Sequence, residues 1–129
     1  MKQLILCLWL TSLSSIAAGE WMSVSASSTY VTYADPATIR RTGSMVKMWS
    51  LSDYKVTQTE ASGKPYLSAR VQREYDCQGE QVRTLDGSFH SGQMGGGAVV
   101  FSSSGTGKWI PIPPGTTGAF LWRIACGQK

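Results

Sequence analysis

Histidine is nearly missing from this 129-residue sequence and cysteine is scarce, with one of the first and three of the second. A zinc site needs four protein ligands, or three and a water, and one imidazole beside two mutually paired cysteines supplies too few. A nucleophile elbow G-x-S-x-G is absent, as is the GK[ST] ending of a phosphate-binding loop. A strong excess of one charge is also lacking: Lys and Arg number 12 against 8 Asp and Glu. So mild a basic balance suits contact with acidic surfaces such as glycans or anionic host proteins, without selecting among them. After Leu10 no apolar run approaches the roughly 20 residues that cross a bilayer. Internal repeats and linker-like stretches are absent too, so the chain reads as a single domain.

What is present begins with MKQLILCLWLTSLSSIAAGE, in which Lys2 precedes the apolar run Leu4 to Leu10 and then small residues. That order is the pattern of a secretory signal peptide, with cleavage near Ser15-Ile16-Ala17 or Ala17-Ala18-Gly19. Residues 1–19 are therefore expected to be removed, leaving a mature domain of residues 20–129 with no transmembrane segment. Cys7 lies inside the apolar run and follows Leu6. A lipoprotein cysteine stands after such a run, behind a small residue, so no lipid anchor is expected. Loss of Lys2 lowers the formal charge from +4 to +3. Export argues against nucleic acid as the partner.

Only Cys77 and Cys126 survive this processing. Two cysteines in an exported chain are most simply one disulfide, worth roughly 4 kcal/mol on the chain-entropy model. Around them, short runs rich in Val, Thr, Tyr and Trp alternate with Gly, Pro, Ser and Asp, as in antiparallel β structure. Strands are expected at Trp21–Ala26, Thr29–Tyr33, Ser44–Tyr54, Tyr66–Cys77, Glu80–Leu85 and Ala98–Ser102. Asp35-Pro36 fits a capped single helical turn, ended by Gly43. Ala61 to Pro65 and Gln78-Gly79 are turn signals. WIPIPPG, from Trp109, is an extended connector.

Tyr66–Cys77 alternates, with Leu67, Ala69, Val71, Tyr75 and Cys77 expected on a packed face. Ser68, Arg70, Gln72, Glu74 and Asp76 are expected on a wet one. Arg73 falls on the packed side and must reach an edge or a partner. Thr117–Cys126 (TGAFLWRIAC) is ambiguous. As a strand it aligns Phe120, Trp122, Ile124 and Cys126; as a helix it has Thr116 or Thr117 as cap and Gly127 as terminator.

Candidate chemistry is thin. His90, among serines and near Asp86, invites a Ser-His-Asp reading, but a lone histidine in SFHSG is more often a polar loop residue. Glu74 and Asp76 are two carboxylates on one strand face. Glycosidase chemistry needs them across a cleft, and acids beside Arg70 and Arg73 are more often cross-strand partners. The glycines of GQMGGG (residues 92–97) supply backbone freedom at a turn. Trp21, Trp49, Trp109 and Trp122 suit a carbohydrate platform, although a small sheet needs most of them in its core. Lys64, Arg70, Arg73 and Arg83 lie along the hairpin through Gly79 and are the candidate binding residues; the bland alternative is a solvated face that blocks edge pairing. No catalytic residue, cofactor or metal site is assigned.

The early Trp21 strand, Asp35-Pro36, VKMWSLSDY (46–54) and REYDC (73–77) recur as a set with the glycine loop before AVV, WIPIPPG and LWRIAC (121–126). In these the chain resembles the surface-adhesin protein E family of Gram-negative bacteria. The resemblance implies an α+β, mostly β fold: one antiparallel sheet of about six strands, with Thr117–Cys126 as a C-terminal helix packed on it. Cys77–Cys126 would then pin that helix across the sheet. It also implies a homodimer, and an exported, non-enzymatic binding protein in the periplasm or at the outer-membrane surface. Its partners would be protein or glycan, including host extracellular matrix and serum proteins, met through Lys64, Arg70, Arg73 and Arg83. The alternative is a periplasmic structural or accessory envelope protein.

Overall fold

A computed structural model describes residues 20–127; the signal peptide assigned to residues 1–19 lies outside the described residues. Seven strands are formed: β1 (Met22–Ala26), β2 (Tyr30–Thr42), β3 (Met45–Thr59), β4 (Pro65–Asp76), β5 (Gln81–His90), β6 (Val99–Ser104) and β7 (Ile110–Pro111). Among the described residues there is one α-helix, α1 (Thr117–Cys126). The strands make one sheet in the order β1-β2-β3-β4-β5-β6, every pair antiparallel, and β7 joins β5 opposite Gln81 and Val82. Such a meander follows from short turns, because neighbouring strands joined by a few residues have no room for a crossover.

The ambiguous TGAFLWRIAC segment is a helix. Thr116 Oγ1 accepts the Ala119 N–H at 3.2 Å, and Gly127 ends the helix at φ 70°, a left-handed cap that favours glycine. A lone sheet must cover an apolar face. Here Leu121, Trp122 and Ala125 bury against Ala34, Val46, Met48 and Tyr75. Full burial of a side chain the size of Leu121 contributes roughly 1.5–3 kcal/mol. The Trp122 indole N–H donates to the Asp76 carbonyl at 2.8 Å, so the largest core residue leaves no orphan donor. Cys77 and Cys126 are bonded, with Cα atoms 5.6 Å apart, and tie the last helical turn to the end of β4.

Several expectations are corrected. Asp35-Pro36 does not break the strand with a helical turn. It forms a bulge inside a continuous β2, where pairing with β3 skips from Asp35 to Arg40. Asp35 Oδ1 accepts the Ala37 N–H within the bulge, and Thr38 Oγ1 reaches across to accept the Trp49 N–H of β3. The wet face of β4 is largely dry: Ser68, Glu74 and Asp76 are buried and only Arg70 is exposed. Loop 91–97 folds over that face, with Ser68 Oγ donating to the Gly92 carbonyl and accepting the Gly95 N–H. It also seals Leu51. Glu74 and Asp76 are covered by their own partners. Of the four tryptophans among the described residues only Trp122 is buried; Trp21, Trp49 and Trp109 are half-exposed, because one ten-residue helix roofs only part of one face.

Candidate functional site

Strand pairing fixes which side chains share a side of the sheet. On β4, Arg70, Gln72, Glu74 and Asp76 face one way, and Arg83 joins them opposite Glu74. Arg73 and Tyr75 face the other way, toward α1. Lys64 is exposed in the turn between β3 and β4. The four basic residues nominated from the sequence are thus spread over two faces and one turn.

On the face away from the helix, the guanidinium of Arg70 lies 4.4 Å from the ring centroid of Trp49, and that of Arg83 lies 4.4 Å from Trp109. Arg83 also donates through Nε to Glu74 Oε1 at 2.7 Å, which neutralises much of its field. Four residues of extended strand, about 13 Å, separate Arg70 from Glu74. Two arginine–tryptophan stacks therefore stand along one face. Each such contact is worth about 0.5–1 kcal/mol where exposed. Glu74 and Asp76 do not flank a cleft. Asp76 accepts the Gln78 and Gly79 N–H groups through Oδ1 and the Gln81 amide through Oδ2. Those bonds, the one from Gly79 foremost, hold its carboxyl below the usual carboxylate range.

His90 sits on this same face, buried, with Nε2 2.8 Å from Ser88 Oγ. Burial, and then the charge of Arg70, push its pKa down, so the ring is neutral at pH 7. A triad requires an acid on the far nitrogen. Asp86 instead lies beyond Ser88 along β5, opposite Gln72 and Ser104. Among the described residues no cluster of His, Cys, Asp and Glu is arranged to hold a metal ion.

The helix-bearing face has a second half that α1 does not reach. Across it runs a row of five rings, one from each of β2 to β6: Tyr30, Tyr54, Tyr66, Phe89 and Phe101. Successive centroids are 5.6, 5.7, 4.3 and 5.7 Å apart. Beside the row lie two clefts of about 250 Å³ each, and Arg73 lines both. The first is walled by Tyr30, Tyr75 and the first turn of α1, the second by Phe89 and Phe101. Arg73 Nη1 donates to Ser50 Oγ at 3.0 Å. The Tyr75 hydroxyl is buried without a hydrogen-bond partner. Burial raises its pKa while the adjacent Arg73 opposes the shift. Burial and the neighbouring Tyr66 and Tyr30 likewise raise that of Tyr54. This row was not found from the sequence. Its members are far apart along the chain, and only the strand register brings them together.

A family model described as surface-adhesin protein E matches residues 21–127. No curated protein sequence matches the chain. Solved structures do. Crystal form II of Haemophilus influenzae protein E is 14% identical, with a TM-score of 0.62 over 81% of this chain and 91% of that one. A second H. influenzae protein E structure is 16% identical, with a TM-score of 0.57 over 84% and 95%. Protein E from non-typeable H. influenzae is 13% identical, at 0.56 over 85% and 86%. At these identities the structural likeness speaks to the fold alone.

Proposed function

The chain belongs to the surface-adhesin protein E family, and from that premise we propose that it is an exported, non-enzymatic binding protein, adhesin-like, that contacts host matrix or serum macromolecules at the bacterial surface. The observation that carries this reading is the pair of arginine–tryptophan stacks on the face away from the helix, Arg70 on Trp49 and Arg83 on Trp109. Arginine and tryptophan are the side chains that most often dominate binding energy at protein interfaces. Both offer large, flat contact area with a polar handle. Of the basic residues proposed for binding, Arg70 is exposed and has no carboxylate partner among the described residues, so it carries the larger share. Arg83 is half-committed to Glu74, Lys64 extends the patch at the β3–β4 turn, and Arg73 faces the other side.

The test is binding of the purified domain to immobilised basement-membrane extract and to serum proteins. Wild-type binding is expected to weaken with rising salt, since exposed charges are screened beyond about 8 Å at physiological ionic strength. Arg70→Glu with Arg83→Glu is expected to abolish it. Unchanged binding by the double variant would remove this patch. A periplasmic accessory role is the competing reading, consistent with the expectation from the sequence that Cys7 is not a lipoprotein cysteine.

A further inference from the structure

We propose that the uncovered half of the helix-bearing face is a second, separate binding site, a groove for an acidic saccharide chain whose carboxylate docks at Arg73. Three features meet there. The first is charge: Arg73 lines both clefts, no residue lining either is acidic, and no carboxylate pairs with it among the described residues. A half-buried cation beside only the neutral Ser50 and Tyr75 hydroxyls is incompletely compensated, and an anion restores the balance.

The second is an unfilled hydrogen bond. The Tyr75 hydroxyl, on a residue only 1% exposed, has no partner and sits beside Arg73 at the cleft. Its oxygen has under 1 Å² of accessible surface, so a ligand oxygen would satisfy its O–H by displacing the side chains that cover it. Thr117 and Gly118, from the first turn of α1, line the same cleft. Their N–H groups lie at the positive end of a ten-residue helix and have no acceptor within it.

The third is shape. Five rings in a row, spaced 4.3–5.7 Å apart, run away from this cleft toward the β6 edge, where Phe101 is 47% exposed. Tyr66 and Phe89 stack on each other, so the row offers a ligand its ring edges, with the exposed Phe101 at its end as the apolar surface for the C–H face of a sugar ring. The Ser52 and Ser103 hydroxyls lie beside the row and match sugar hydroxyls. An extended peptide is the poorer occupant. It binds sheets by pairing with a free edge, whereas backbone groups in mid-sheet are spent on the ladder.

Calorimetry with hyaluronan and mannuronate octasaccharides tests the proposal, against neutral chitin oligomers and hexaglutamate. At least one uronate chain is expected to bind one-to-one. Arg73→Gln should weaken it about tenfold, the loss of one charge-assisted contact, and Phe101→Ser severalfold. Phe101→Ser, at an edge-strand residue already 47% exposed, should lower the unfolding midpoint by only a few degrees and leave the fold intact, so it decides the matter if Arg73→Gln fails to fold. The Arg70→Glu, Arg83→Glu variant should bind saccharide normally, which separates this site from the opposite face. No binding by either uronate overturns the proposal, as does equal binding of the neutral chains. Tighter binding of hexaglutamate, or indifference to both Arg73→Gln and Phe101→Ser, overturns it as well.

Discussion

Replacing both Cys77 and Cys126 by serine removes a bridge between residues 49 apart in sequence. The chain-entropy relation gives about 4 kcal/mol for a closed loop of that length. For the 108 described residues, an unfolding entropy of about 2.1 cal/mol/K per residue converts each kcal/mol into roughly 4 °C, so the midpoint should fall by about 15–20 °C. The loss should begin at the helix. Ten residues are too few to persist as an isolated helix in water, and α1 otherwise holds through Leu121, Trp122, Ala125 and the Trp122 bond to Asp76. Thermal unfolding followed by near-ultraviolet circular dichroism reads the Trp122 environment, with thiol titration confirming oxidation of the wild type. A drop under about 5 °C, or free thiols in oxidised wild-type protein, would show that packing alone holds the helix and that the bridge has been given the wrong role.

Thr116→Ala removes the cap on Ala119 and should cost about 1 kcal/mol, measurable as a lower urea midpoint at unchanged slope. Gly97 stands at φ 71°, and a Cβ there would meet Ser91 Oγ and the Gly92 nitrogen. Gly97→Ala should therefore destabilise by about 1–3 kcal/mol and raise hydrogen exchange in loop 91–97. Asp76 has its folded pKa depressed by the bonds from Gly79, Gln81 and Gln78. Its contribution is complete above the unfolded carboxylate value and is lost as pH falls through the lower folded one. Asp76→Asn should accordingly lower stability at pH 7 and flatten the acid limb of the stability–pH profile, the two proteins converging at low pH.

Much of the scaffold was legible because it rests on local chemistry. Turn residues at Ala61–Pro65 and Gln78-Gly79, the valine- and tyrosine-rich runs between them, and two cysteines in an exported pattern lead to the strands and the bridge. The last segment was different. Thr116 and Gly127 are helix caps, yet ten apolar residues fit a strand equally well, and the family resemblance decided it. What failed needs tertiary knowledge. Ser68 alternates like a solvent-facing residue, and only the fold of loop 91–97 over β4 dries it. Arg73 was grouped with the hairpin cations although strand alternation already set it on the packed face, and the structure keeps it there, opposite Arg70 and Arg83. Trp49 and Trp109 were expected inside; they stand on the face opposite the helix, where arginines cover them instead. The ring row is register information, which no single strand contains.

Protease treatment of intact cells carrying the native protein, with immunodetection afterwards, bears most directly on the proposed role at the bacterial surface. Cleavage of the protein while a periplasmic marker stays whole is the result predicted for an adhesin. Full protection until the outer membrane is opened would contradict it and leave a periplasmic component instead.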